Sequence, residues 1–172
     1  MKKTFLLLAC FGILSACSCH KTPVEFQNSF SCKVNGVDWK PEGGSNATGG
    51  IKSLSIDVYK AYMAEAITIN TLKNIRDSKT GNSIVFEGFN LHCNLAKNDK
   101  YILSRNGRDG FYNYKNGCSD YHPDSTSNDF ILIKDLDTIQ AIVKGTFQFI
   151  AISPTCGEKI VVTDGIFEVK YQ

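Results

Sequence analysis

Phe30-Ser31-Cys32-Lys33-Val34-Asn35-Gly36-Val37-Asp38-Trp39 is the stretch that decides the fold. Phe30, Cys32 and Val34 alternate with Ser31 and Lys33, the two-residue period of a strand with one face on a core. Asn35-Gly36 follows. This pair suits a tight hairpin turn, because both central positions of that turn need a positive φ. Val37 and Trp39 resume the strand, and Pro41, with no amide hydrogen to give a ladder, stops it. The sequence therefore predicts that the domain opens on a β-hairpin.

The same period recurs through the rest of the 172-residue chain. Leu54, Ile56 and Val58 alternate with polar partners, as do Ile67 and Ile69. Ile84 and Phe86 begin another strand, and Phe89, Leu91, Cys93 and Leu95 carry it on. Tyr101 to Leu103 is a short strand, and Phe130 to Ile133 another, with a turn expected at Asp135-Leu136-Asp137. Phe147, Phe149 and Ala151 share one strand face. Ser153-Pro154-Thr155-Cys156-Gly157 reads as a hairpin loop, Ile160 and Val162 lead back, and Asp164-Gly165 marks a bulge or kink before Phe167, Val169 and Tyr171. Residues 104–129 are rich in Gly, Asn, Asp and Ser and read as a long excursion, with Phe111, Tyr112 and Tyr114 to pack. No segment carries a sustained helical stripe; Tyr59 to Ala66 has helix propensity for a single turn but sits between strands. Residues 29–172 are thus expected to form one all-β domain, an antiparallel β-sandwich, with a partly open β-barrel as the alternative.

The N-terminus carries an address. Met1-Lys2-Lys3 is cationic, and Thr4 to Leu14 is almost wholly apolar yet too short to span a bilayer. Leu14-Ser15-Ala16-Cys17 resembles the lipobox of bacterial lipoproteins: a branched apolar residue, two small residues, then cysteine. The resemblance implies a signal peptide over 1–16, cleavage before Cys17, and a diacylglycerol thioether on its sulfur, with further acylation, such as palmitate, on the new amine. Each buried methylene contributes about 0.8 kcal/mol, so several acyl chains on one residue anchor firmly. Residues 17–28, aperiodic and containing Pro23, are expected to be a flexible tether from the membrane. Surface-directed lipoproteins of the Bacteroidota often place acidic residues directly after the lipidated cysteine. Ser18-Cys19-His20-Lys21 has none, which favours an outer-membrane anchor facing the periplasm over the cell surface.

Lys2 and Lys3 leave with the signal peptide, so the 19 basic side chains fall to match the 17 acidic ones. A balanced chain offers nothing to recruit nucleic acid. Seven cysteines are present. Cys10 is discarded and Cys17 lipidated, leaving Cys19, Cys32, Cys93, Cys118 and Cys156 in an oxidising environment that allows disulfides. Cys32 and Cys93 fall on apolar strand faces, where a free cysteine behaves as a small hydrophobe. Cys19 is in the tether. Elimination leaves Cys118–Cys156, with Cys93–Cys118 as the competing pair.

The domain's two ends resemble a family of Bacteroidota lipoproteins built on a domain of unknown function. The likeness rests on the opening Phe30 to Pro41, then Ile133 to Thr138, Val143 to Phe149 and Val162 to Phe167, in order and spacing as well as type. It implies an exported β-rich lipoprotein and carries over no catalytic residue. Two triplets, Asp124-Ser125-Thr126 and Asp137-Thr138-Ile139, resemble the O-glycosylation signal of such bacteria and nominate Ser125 and Thr138.

Few residues suggest chemistry. Cys118 and His122 are closely spaced, and His92 with Cys93 could complete the four ligands of a zinc site, or Cys118 and His122 serve a thiol site, but adjacent strand residues His92 and Cys93 point to opposite faces. No paired C-x-x-C, H-E-x-x-H, G-x-S-x-G or phosphate-binding glycine loop is present. Trp39, Tyr112, Tyr114 and Tyr121 could form a sugar-binding platform; the plainer reading packs Trp39 on the core rim and uses the tyrosines to hold a loop. The expected function is a lipid-anchored, non-enzymatic binding or interaction module, without cofactor or metal, its partners the membrane through Cys17 and a protein or glycan ligand. The alternatives are a surface-exposed glycan-binding lipoprotein, and a metal- or thiol-dependent enzyme centred on Cys118 and His122.

Overall fold

Asn35 and Gly36 both take positive φ, 51° and 80°, and fold β1 (Ser29–Val34) back on β2 (Val37–Trp39). The expected hairpin is the first element of the computed structural model, which describes residues 26–42, 54–60, 65–76, 83–103, 109–113, 118, 120–126 and 128–171. The signal peptide, Cys17, most of the tether and Tyr114 lie outside the described residues.

The remaining strands are β3 (Leu54–Lys60), β4 (Glu65–Arg76), β5 (Ser83–Asn94), β6 (Lys100–Ile102), β7 (Gly110–Asn113), β8 (His122–Pro123), β9 (Phe130–Asp137), β10 (Ile142–Ile152) and β11 (Lys159–Lys170). No helix occurs among the described residues. A 7-stranded sheet runs β2-β1-β11-β10-β9-β6, with β8 also on β10, and a 4-stranded sheet runs β3-β4-β5-β7. Every pairing between these strands is antiparallel. Bridges Glu42–Lys73 and Phe111–Tyr121 stitch the sheets together without closing them into a barrel.

The core fills the space between the sheets. Val143, Phe147, Phe149 and Ala151 of β10 face it, opposite Ile67 and Ile69 of β4 and Phe89, Leu91 and Cys93 of β5. The Phe30 and Phe147 rings stack at 4.8 Å, and Phe89 meets Phe149 at 6.0 Å. In β11 the buried set changes parity, from Ile160 and Val162 to Phe167 and Val169. Asp164, at φ 54°, causes the change. The partners of Phe147 and Phe149 are Gly165 and Val162, so β11 carries an extra residue there. This is the bulge that Asp164-Gly165 announces in the sequence, and without it Phe167 and Val169 would face solvent.

Two expectations are corrected. Residues 104–129 are not simply a loop excursion, because Gly110–Asn113 is an edge strand of the smaller sheet. It went unseen because four residues flanked by Gly, Asn and Asp show no readable period. Asp135-Leu136-Asp137 is strand, not turn. The turn comes next, where Asp137 Oδ1 accepts the amides of Ile139 and Gln140, both at 2.9 Å.

A buried carboxylate organises the end of the excursion. Asp129, fully buried, accepts the Thr126 amide and hydroxyl at 2.8 Å each on Oδ2, and the Ile150 amide at 2.8 Å on Oδ1. Strand β9 leaves β10 after Phe130, opposite Gln148, and β8 joins at Ala151. Asp129 thus satisfies the strand amide that neither neighbour reaches.

Candidate functional site

Trp39 is placed by the hairpin. Its cross-strand partner is Cys32, and its ring turns inward to meet Phe89 at 4.7 Å and Phe111 at 6.4 Å. The indole Nε1 donates to Glu87 Oε2 at 3.2 Å. Glu87 shares a strand face with Phe89, Leu91 and Cys93, so its carboxylate stands at the end of a core row. Phe111, in β7, reaches Tyr121 at 6.0 Å, and the two backbones exchange hydrogen bonds of 3.0 and 2.7 Å. The Tyr121 hydroxyl donates to Glu158 Oε2 at 2.9 Å. Burial, then the hydrogen bond and negative charge of Glu158, push the Tyr121 phenol up to about 12.

These residues surround a cleft of about 330 Å³, whose rim includes Asp38 and Lys73 and whose apolar wall includes Val34 and Ile160. A second cavity of about 300 Å³ lies on the other side of Trp39. Among its lining residues Lys33 pairs with Asp164 at 2.9 Å, and Lys73 with Glu42 at 3.7 Å.

The structure brings only part of the proposed aromatic platform together. Trp39 and Tyr121 sit at one cleft, but at 5% and 4% exposure their rings offer edges rather than open faces for stacking. Tyr112 faces away from Phe111, over Gly88, and donates to the Thr71 carbonyl at 2.7 Å.

Cys118 and Cys156 form a disulfide, Cα–Cα 5.7 Å, and Cys93 is not its partner. The bridge runs beside the Tyr121–Glu158 hydrogen bond and joins the same two segments. The ligand-type atoms grouped with the Cys118 sulfur are those of Cys156 and Glu158, not of His122. His122 lies in β8 opposite Ile152, with Nδ1 buried and unpartnered. His92 turns away from Cys93, and both its amide, at 2.7 Å, and its Nδ1, at 3.1 Å, meet the buried Asp109 Oδ1. Cys32 and Cys93 are buried free thiols, and burial lifts each to about 12. Neither supplies a thiolate at neutral pH. Ser125 and Thr138 are exposed.

Glu87, Asp109, Asp129 and Glu158 escaped sequence reasoning. One signal was available: Glu87 keeps step with Phe89, Leu91 and Cys93, and an acid on a core-facing row needs a partner or a ligand. Compared with known proteins, the chain matches no family model, no curated protein and no solved structure.

Proposed function

We propose that this chain is a lipid-anchored envelope protein that works as a non-enzymatic binding module, with the cleft between Trp39 and Tyr121 as its ligand site. One observation carries the site: a concave opening whose carboxylates, Glu87 and Glu158, are each positioned by a donor on a buried core ring. Such prepositioned polar groups on rigid strands are what a binding site requires. The raised pKa of the free thiols and the closed disulfide favour binding over thiol chemistry. The lipobox-like Leu14-Ser15-Ala16-Cys17 supports the anchor, and the lack of acidic residues in Ser18-Cys19-His20-Lys21, directly after Cys17, supports a periplasm-facing outer-membrane location rather than the cell surface. Exposed Ser125 and Thr138 are the proposed glycan acceptors.

Intact mass of the protein from its native membrane tests the anchor; an N-terminal Cys17 without lipid refutes it. Protease shaving of whole cells tests the leaflet, and loss of the domain would place it on the surface. For the site, the indole N–H signal of Trp39 is followed by NMR against a mixed panel of sugars, amines and carboxylic acids. A shift with any class supports the cleft, and a silent panel rules it out.

A further inference from the structure

The disulfide corner holds more than two sulfurs. The Cys118 and Cys156 sulfurs and a carboxylate oxygen of Glu158 all lie within 4.8 Å of one another. Two of these donors sit on one tight loop. The Gly157 amide donates to the Ser153 carbonyl at 2.8 Å, and the Ser153 amide to the Glu158 carbonyl at 2.9 Å, which fixes Cys156 relative to Glu158. The carboxylate is itself held, because the Tyr121 hydroxyl donates to Glu158 Oε2 at 2.9 Å and leaves Oε1 open to a ligand. A donor behind a carboxylate is what orients it towards a metal ion. A disulfide has no use for a carboxylate at this distance, whereas two thiolates that share an ion gain a third ligand from it. Cys118 is half-buried and Cys156 exposed, so a reductant and an ion reach them, unlike the buried thiols of Cys32 and Cys93.

We propose that, once the Cys118–Cys156 bond is reduced, Cys118, Cys156 and Glu158 bind a zinc ion with water as the fourth ligand, so that metal replaces disulfide as the staple of this corner. A dithiol reductant supplies two electrons and two protons; the S–S bond breaks and the reductant leaves as its own disulfide. Zinc then displaces the two thiol protons to solvent as two Zn–S bonds form. Zinc–sulfur bonds of about 2.3 Å set a tetrahedral donor spacing of about 3.8 Å. With the two Cα atoms 5.7 Å apart, side-chain rotation alone supplies it. Thiolates select zinc over calcium and magnesium, which take oxygen ligands.

The full-length protein, reduced with a phosphine, is titrated with zinc against a chromogenic chelator. The reference is Cys118→Ser with Cys156→Ser under the same reductant, which keeps every other thiol and the same open chain. Reduced wild type should take up one more zinc per chain than the reference, and the oxidised protein none more. Cobalt in place of zinc should give thiolate charge-transfer absorption that the reference lacks, and zinc should raise the thermal midpoint of reduced wild type alone. Glu158→Gln keeps an acceptor for the Tyr121 hydroxyl but loses the charge, and should weaken zinc binding about tenfold. Equal zinc uptake by reduced wild type and the reference overturns the proposal, as does equal uptake by the oxidised and reduced forms. So does a reduced chain whose strand circular dichroism zinc fails to preserve. An affinity unchanged in Glu158→Gln overturns the three-ligand site.

Discussion

The Phe167 ring lies over Gly145, its direct partner on the neighbouring strand, in the space a side chain there would fill. Phe147 covers Gly165 in the same way, so two glycines make room for two core rings across one strand pair. Gly145→Ala and Gly165→Ala should each destabilise by about 1–3 kcal/mol through overpacking. Urea unfolding with an unchanged m-value checks this.

Asp129→Ala should cost about 1–3 kcal/mol, because it removes the buried acceptor of the Ile150 amide and of the Thr126 amide and hydroxyl. Urea unfolding gives the magnitude. Hydrogen exchange gives the place, with the Ile150 amide losing protection first.

Reducing the Cys118–Cys156 bond opens a loop of 38 residues in sequence separation. The chain-entropy account predicts a loss of about 4 kcal/mol. Denaturation with and without a phosphine reductant measures it, and non-reducing peptide mapping should show Cys118 linked to Cys156.

Tyr121 should be among the last tyrosines to ionise, near pH 12. Its folded pKa is raised above the unfolded value of about 10, so its contribution is full below about pH 10 and is lost as pH rises towards 12. Absorbance at the phenolate band of wild type against Tyr121→Phe checks the assignment, the variant lacking that late component.

Much of the fold was legible because it obeys a period of two. Phe30 to Trp39 reads as a hairpin from alternation and one Asn-Gly pair, and the structure has that hairpin. The Asp164 bulge was legible because Val162 and Phe167 stand on opposite parities, and only an extra residue lets both face the core. Periodicity fails where tertiary contacts decide. Gly110–Asn113 is a strand because Phe89 and Gly88 lie beside it, and nothing local says so. Leu136 lengthens β9 through its pairing with Val143. The candidate site was half legible. Trp39 and Tyr121 stood out as aromatics near turns, whereas Glu87 and Glu158 acquire their roles from rings distant in sequence.

The pairing of β1 with β11 brings Phe30 beside Phe167, and the Lys170 amide donates to Asn28 at 2.7 Å. A chain that emerges N-terminus first must therefore hold the β1–β2 hairpin without its main neighbour until β11 is out. The 4-stranded sheet, whose partners lie close in sequence, can assemble earlier. A chain cut before β11 would leave the edge of β1 open to other chains, so emergence of β11 is the step that closes the larger sheet and protects it from aggregation.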